Sequence, residues 1–401
     1  MKKIIILFSI SVILLFYIIF KKDSDEIISV ELYDKMYMQQ TSWSIQQFPS
    51  QDSNYHAPNY AWGWSYVANS LVDMYRVTED IRYLEAFIKQ AAFIFSQTDK
   101  KLGIESFTGT NLYLPAWSDR GYYTSGEFNY TYPVHTAMII LPILRFVDTV
   151  YTHNLIDYKK VADDFLTMSG EALAIHNQDN MWVDFSDTEG FYIGHSPGEG
   201  MVSEAGTIGI PNRISVYLAA IGLYDKLTNG DVYRERIEKS LNYFKNSLFK
   251  YDEAFDSYYW SYWEEQNIQK HWEDINHATL TIYGIFILHE EVGYSIFTEE
   301  DFERIANNVY KIIDGKNPPF KMRKYIHKRD EEEKAYYSQK ENPFYYHVLR
   351  WSLLGIYDEG ILDTLEQVYK EINVEEISPQ IRLNSIASYL YAREKTRGFN
   401  W

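Results

Sequence analysis

The sequence predicts an all-α protein arranged as a closed ring of about five to six helical hairpins, and three observations carry that expectation. Apolar residues recur at helical spacing in paired segments, whereas no period-two run of strand length stands out. The pairs repeat: Thr78/Tyr83 and Thr228/Tyr233 share a Thr-x4-Tyr, and Tyr158 and Phe302 put an aromatic at the equivalent place, so the anchors fall at steps of 75, 75 and 69 residues. The turn within each pair is short, which makes its two helices antiparallel neighbours and sends the long connections, roughly thirty residues each, out on the other side. Connections longer than about 12–15 residues are uncommon in compact domains unless they are functional or disordered, and these are rich in aromatics and Gly.

The elements follow in order. Ile4 to Phe20 is an apolar run between Lys2/Lys3 and Lys21/Lys22, with no small-x-small cleavage site after it. Residues 1–27 therefore read as an uncleaved signal anchor, single-pass, with residues 28–401 as one domain on the extracytoplasmic side of the cell membrane; a cleaved signal peptide and a secreted protein is the alternative. Helical pairs are expected over 65–95, 135–166, 213–244 and 277–313, then another hairpin over 345–372 and a closing helix over 380–395. No Ser/Gly-rich or Pro-rich linker separates one half from the other.

Composition narrows the function. With 56 acidic against 38 basic residues the formal charge is −18, which repels nucleic acid at long range, so no nucleic-acid partner is expected. The chain has no cysteine, which removes disulfides, thiolate catalysis and cysteine metal sites. Phosphate-loop, dinucleotide, zinc-helix and nucleophile-elbow motifs are all missing, and the acids of 177–213 do not follow a calcium-loop spacing, so neither metal nor cofactor is expected. The 36 Tyr, 22 Phe and 10 Trp exceed what core filling absorbs, and many lie in the connections. Flat rings beside carboxylates and amides suit a pyranose, whose C–H face meets the ring while its hydroxyls bond the polar groups.

The hairpin repeat, the "AWGWSY" opening of a helix and the aromatic connections resemble the six-hairpin (α/α) toroid superfamily of carbohydrate-active enzymes over roughly residues 55–395. That resemblance implies a polysaccharide or oligosaccharide bound in a cleft across the long-loop face, by a glycoside hydrolase, a lyase or an epimerase. A narrower likeness, from Asn212 through "GLYDKLT" to "KYDEAFDSYYWSYW", is to the C-terminal toroid of D-glucuronyl C5-epimerases.

Four connections carry the candidate chemistry. In 112–135, Trp117, Tyr122, Tyr123, Tyr130 and Tyr132 surround Asp119, Arg120, Glu127 and His135, although tyrosines packing loops onto helix ends would give the same pattern. In 177–213, Arg213 opens an apolar helix beside Asn212, where a cation neutralises a substrate carboxylate or simply pairs with a nearby acid. In 258–278, Asp274 or Asn276 suits an N-cap, with His277 on the first turn, Glu273 adjacent, and Tyr259, Trp260 and Tyr262 upstream. His135 and His277 each open a hairpin's first helix, so a ring brings both to the cleft rim. The fourth, 321–347, is a basic run followed by an acidic one and reads as a solvated loop unless it folds over the cleft.

The leading expectation is C5 proton abstraction on a uronate-containing glycan, ending in lyase or epimerase chemistry. Arg213 with Asn212 or Asn276 neutralises the carboxylate, His277 takes the proton, and Tyr259 or Tyr262 returns one. The first alternative is an inverting glycoside hydrolase, pairing Asp119 or Glu127 with Asp274 or Glu273 at about 6.5–9.5 Å; the second is a non-catalytic glycan-binding protein. Trp62, Trp117, Tyr132 and Trp260 complete the set as sugar platforms.

Overall fold

The computed structural model describes residues 27–39, 56–121, 124, 128–195, 206–263, 272–314, 320–327, 345–373 and 376–398. The apolar run at 4–20 lies outside the described residues, as do Tyr122, Tyr123, Glu127 and most of the acidic half of 321–347.

Eleven α-helices dominate these residues: α1 (Val30–Gln39), α2 (Ser65–Thr78), α3 (Ile81–Ser96), α4 (Pro133–Thr152), α5 (Lys159–Ala174), α6 (Pro211–Thr228), α7 (Arg234–Asn242), α8 (Ile275–Ile287), α9 (Glu299–Ile312), α10 (Gly360–Glu371) and α11 (Pro379–Thr396). A long 3-10 helical segment, Tyr345–Ile356, precedes α10. The inner wall runs α2, α4, α6, α8, the 3-10 segment and α11, and α11 packs back on α2, so the ring closes as an (α/α) toroid. Outside it, α3, α5, α7 and α10 pack on their inner partners, and α1 packs on α11. The sixth hairpin therefore joins the first and last helices of the toroid.

The inner helices form where they do because they are walled on all sides. Helix α4 is apolar around nearly its whole circumference and buried along nearly all its length, as a helix enclosed by neighbours must be; it is long and apolar enough to cross a membrane, but it is core. Outer α9 instead shows one apolar face, and its start is fixed by a Thr298/Asp301 capping box. The short hairpin turns are taken by left-handed residues, Glu79 (φ 56°), Asn154 (φ 51°) and Asn229 (φ 52°). On α8, a Cβ at Gly284 would run into the Ser215 backbone of α6, so the residue is glycine because the two helices touch there.

One end of the ring is tied by buried charge. Arg145 on α4 meets Asp73 of α2 and Glu291, just past α8, at 2.8 Å each. Arg76 reaches Glu291 at 2.9 Å and Asp148 at 3.5 Å, and Lys226 of α6 joins Asp148 at 2.8 Å. Burial raises the Asp73 carboxyl. Burial also opposes charge on Glu291, but Arg145 and Arg76 outweigh it and hold its carboxyl at about 2.

The connections hold three antiparallel hairpins that helical periodicity does not foresee: β1 (Trp182–Asp184) with β2 (Gly190–Tyr192), β3 (Lys250–Asp252) with β4 (Ser257–Tyr259), and β5 (Ile313–Asp314) with β6 (Lys321–Met322). Strands of two or three residues are too short to carry an alternating pattern.

Candidate active site

The first turns of the inner elements gather at the end of the ring that carries the long connections, and between them lies a pocket of roughly 240 Å³. Its lining comes from Trp62 and Tyr66 at the start of α2, Asn212 and Arg213 of α6, Asn276, His277 and Leu280 of α8, His347 of the 3-10 segment, and Ile381 of α11. The volume is below the ~300–1,000 Å³ of a cleft for a drug-sized ligand.

A single register explains the lining. The third residue of its element is Arg213 in α6, His277 in α8 and Ile381 in α11, and His347 lies in the first described turn of the 3-10 segment. His135 holds the same place in α4. Helices α4, α6 and α11 start with Pro at the first position, which suits its fixed φ and missing N–H, and none has a side-chain cap. Trp62 arrives differently, on a wide π-helical turn, Tyr60–Trp64, that runs into α2.

The α8 start is the most elaborate part. Asp274 is its N-cap: Oδ1 accepts from the Asn276 and His277 backbone N–H groups at 3.0 Å each. Oδ2 meets His277 Nδ1 at 2.6 Å. One carboxylate thus ends the loop, starts the helix and orients the imidazole, with the proton on Nδ1. Burial disfavours the imidazolium, yet the bond to Asp274 and the charges of Asp274 and Glu273 outweigh it, so the His277 pKa is raised. The Tyr262 ring lies 4.8 Å from it.

Glu273 sits one layer deeper. It is fully buried and accepts from Asn212 Nδ2 (2.7 Å), Thr281 Oγ1 (2.8 Å) and the Trp260 indole N–H. Burial pushes its carboxyl up to about 7 against those three donors. Its evident work is to hold Asn212 at the pocket wall.

The sequence-derived candidates sort by depth. Trp62, Asn212, Arg213, Asn276 and His277 line the pocket, Asp274 stands behind His277, and Tyr262 flanks it. His135 is not on the rim as expected: it is fully buried beneath the floor, between Trp62 (5.6 Å) and Tyr132 (5.4 Å). Burial, with the nearby Arg213 charge, lowers its pKa well below normal. Trp117 and Trp260 are buried too, and their indole N–H groups bond Ile94 O and Glu273, so neither offers a face to a sugar. Tyr132 is buried at the α4 N-cap against Tyr130, and Asp119 is buried and pairs its backbone with Tyr130. Tyr259 stacks on His327 at 3.9 Å beside Trp272, away from the lining. Sequence reasoning missed Tyr66, Leu280, His347 and Ile381; His347 had a usable signal, since it opens an inner element as His135 and His277 do.

No family model matches the sequence, and no curated protein is significantly similar to it. Among solved structures, the chain is similar to an inactive variant of the alpha-1,6-mannanase GH76A of Salegentibacter sp. HEL1_6 in complex with alpha-1,6-mannotetrose, at 12% identity and a TM-score of 0.50, over 91% of this chain and 98% of that one. The same mannanase without those changes matches at 13% identity and a TM-score of 0.46, over 84% and 89%. At such identity the likeness is one of fold: the six-hairpin toroid.

Proposed function

We propose that this protein is a carbohydrate-active enzyme, a glycoside hydrolase that takes a sugar unit of an oligosaccharide or polysaccharide into the pocket at the inner-helix starts. The observation that carries the reading is the pocket itself: Trp62 and Tyr66 supply aromatic surface, Asn212, Asn276 and Arg213 supply bonds for hydroxyls, and His277, held from behind by Asp274, faces the same space. A toroid neighbour in complex with a mannan oligosaccharide supports it. That neighbour was inactivated by replacing two consecutive aspartates with alanine. Among the described residues of this chain, Glu273, on Asn212, and Asp274, on His277, are adjacent acids bonded to pocket residues. Asp274 orients His277, which takes a proton from the attacking water as that water bonds the anomeric carbon, and the departing sugar oxygen takes a proton from bulk water.

A second reading, C5 proton abstraction on a uronate, is favoured by one arrangement: Arg213 stands close enough to His277 to influence its charge, with Asn212 and Asn276 beside it. In that chemistry the cation and amides neutralise the carboxylate and His277 removes the proton. We also read the N-terminal apolar run as an anchor that holds the enzyme outside the membrane, where such glycans lie.

One incubation tests both readings. The protein is mixed in heavy water with alpha-1,6-mannan and a panel of neutral and uronate glycans. New reducing ends without ultraviolet absorbance support hydrolysis. Absorbance of an unsaturated uronate, or deuterium at C5 without cleavage, supports the second reading. Asp274→Ala that still turns over at the parent rate overturns the role given to the pair.

A further inference from the structure

Arginines in this protein are matched to acids almost wherever they are buried: Arg145 and Arg76 share Glu291, with Asp73 and Asp148 alongside. Arg350 is the exception beneath the pocket. It is 7% exposed, and its guanidinium lies 4.5 Å over the Tyr66 ring. Nη1 donates to His347 Nδ1 at 3.4 Å, and Nε has no hydrogen-bond partner. Among the described residues no carboxylate forms an ion pair with it. A buried cation without a counter-charge is costly, and a chain with a formal charge of −18 has no shortage of acids to offer.

The residues around it extend the same sign. Tyr66 and His347 both line the pocket, as do Arg213 and His277. His347 is kept neutral by burial and by the charges of Arg350 and His277. Accepting from Arg350 at Nδ1 leaves its proton on Nε2, so it is a donor there. Among the described residues, the carboxylates bonded to this shell are Asp274 and Glu273, and both are committed to His277, the α8 N–H groups, Asn212, Trp260 and Thr281. The α4, α6 and α11 starts add their positive ends without a side-chain cap.

We propose that the sugar taken by this pocket carries an anionic group, a carboxylate or a phosphate ester, which meets Arg213 and His347 at the pocket wall and serves as the counter-charge that Arg350 lacks among the described residues. The inference rests on the reading of the pocket as a glycan site and names the substrate class. It is compatible with hydrolysis, since an acidic substituent need not take part in the bond broken.

The test is calorimetric titration of the full chain with glucose, glucuronate, glucose 6-phosphate and inorganic phosphate, at low and high salt. Glucuronate or glucose 6-phosphate should bind about tenfold or more tighter than glucose, the preference shrinking with salt; which acid wins identifies the group. Arg213→Gln, at a half-buried lining position, should erase the preference. Arg350→Met should erase it as well while leaving the melting temperature of the unliganded protein unchanged or higher, because it removes an unmatched charge. Equal binding of glucose and both acids, or a preference that survives Arg213→Gln, overturns the inference and leaves the glycan reading standing. Phosphate binding that depends on Arg213, with no sugar bound, overturns the glycan reading instead. No binding of any probe overturns both.

Discussion

Asp274 does three jobs with two oxygens, and its substitutions separate them. Asn caps a helix about as well as Asp, whereas Ala loses ~1 kcal/mol. Asp274→Asn should therefore hold stability within about 0.5 kcal/mol while the His277 titration midpoint, followed by NMR, falls; turnover should drop ~10²-fold or more. The wild-type sign follows from the raised His277 pKa: its contribution to stability is full below the unfolded value near 6.5 and is lost as pH rises through the folded one. Glu273 behaves alike for a different reason. Its carboxyl is raised from 4.5 to about 7, so the fold gains below pH ~4.5 and loses that gain as pH climbs through about 7. Glu273→Gln, with the Asn212 amide turned to match, should flatten that dependence and stabilise the protein at pH 8 by on the order of 2–3 kcal/mol in urea unfolding. The sequence makes residue types legible but not depth. Nothing in the local pattern separates Trp62, at the pocket, from Trp117 and Trp260, in the core, because an indole is equally at home in either. Arg350, inside an apolar helical run, carries no mark that its counter-charge is missing.

At the scale of elements, the pattern was legible wherever a helix has two unlike faces or a capping signal. Most helical pairs start and stop within a few residues of where the apolar spacing puts them, although α5 runs on to Ala174, past the expected 166, and of the two N-caps expected for α8, Asp274 or Asn276, the helix uses Asp274. The three strand pairs escaped, and so did the 3-10 character of Tyr345–Ile356, since both depend on tertiary partners rather than on periodicity. The shared register of pocket residues was half visible: the parallel between His135 and His277 extends to His347 and Arg213, but α4 sets its copy below the floor. Contact between elements also sets a limit. Gly284→Ala should push α8 off the Ser215 backbone and cost ~1–3 kcal/mol, seen as a lower melting temperature, with partial loss of activity because Asn276 and His277 ride on the same helix.

For the whole molecule, the ion network and the pocket occupy different parts of the same inner helices. Glu291 bridges Arg76 and Arg145, so Glu291→Gln should cost about 3–5 kcal/mol by leaving both cations short of charge. Because its carboxyl is held near 2 against 4.5 unfolded, the wild type should lose that support only as pH falls from ~4.5 towards 2, and the variant should not show that acid limb. The ring itself was foreseeable from the repeat, but the sixth hairpin was not, since α1 and α11 stand at opposite ends of the sequence and share no short turn. That pairing fixes an order of events during synthesis. A nascent chain can stack its hairpins one after another as they leave the ribosome, yet until Pro379–Thr396 emerges the wall stays open between α2 and the 3-10 segment. A chain cut short of that helix would be nearly complete in mass and hold most of its pocket residues, and it would still be a broken circle, its pocket open on the side that Ile381 walls.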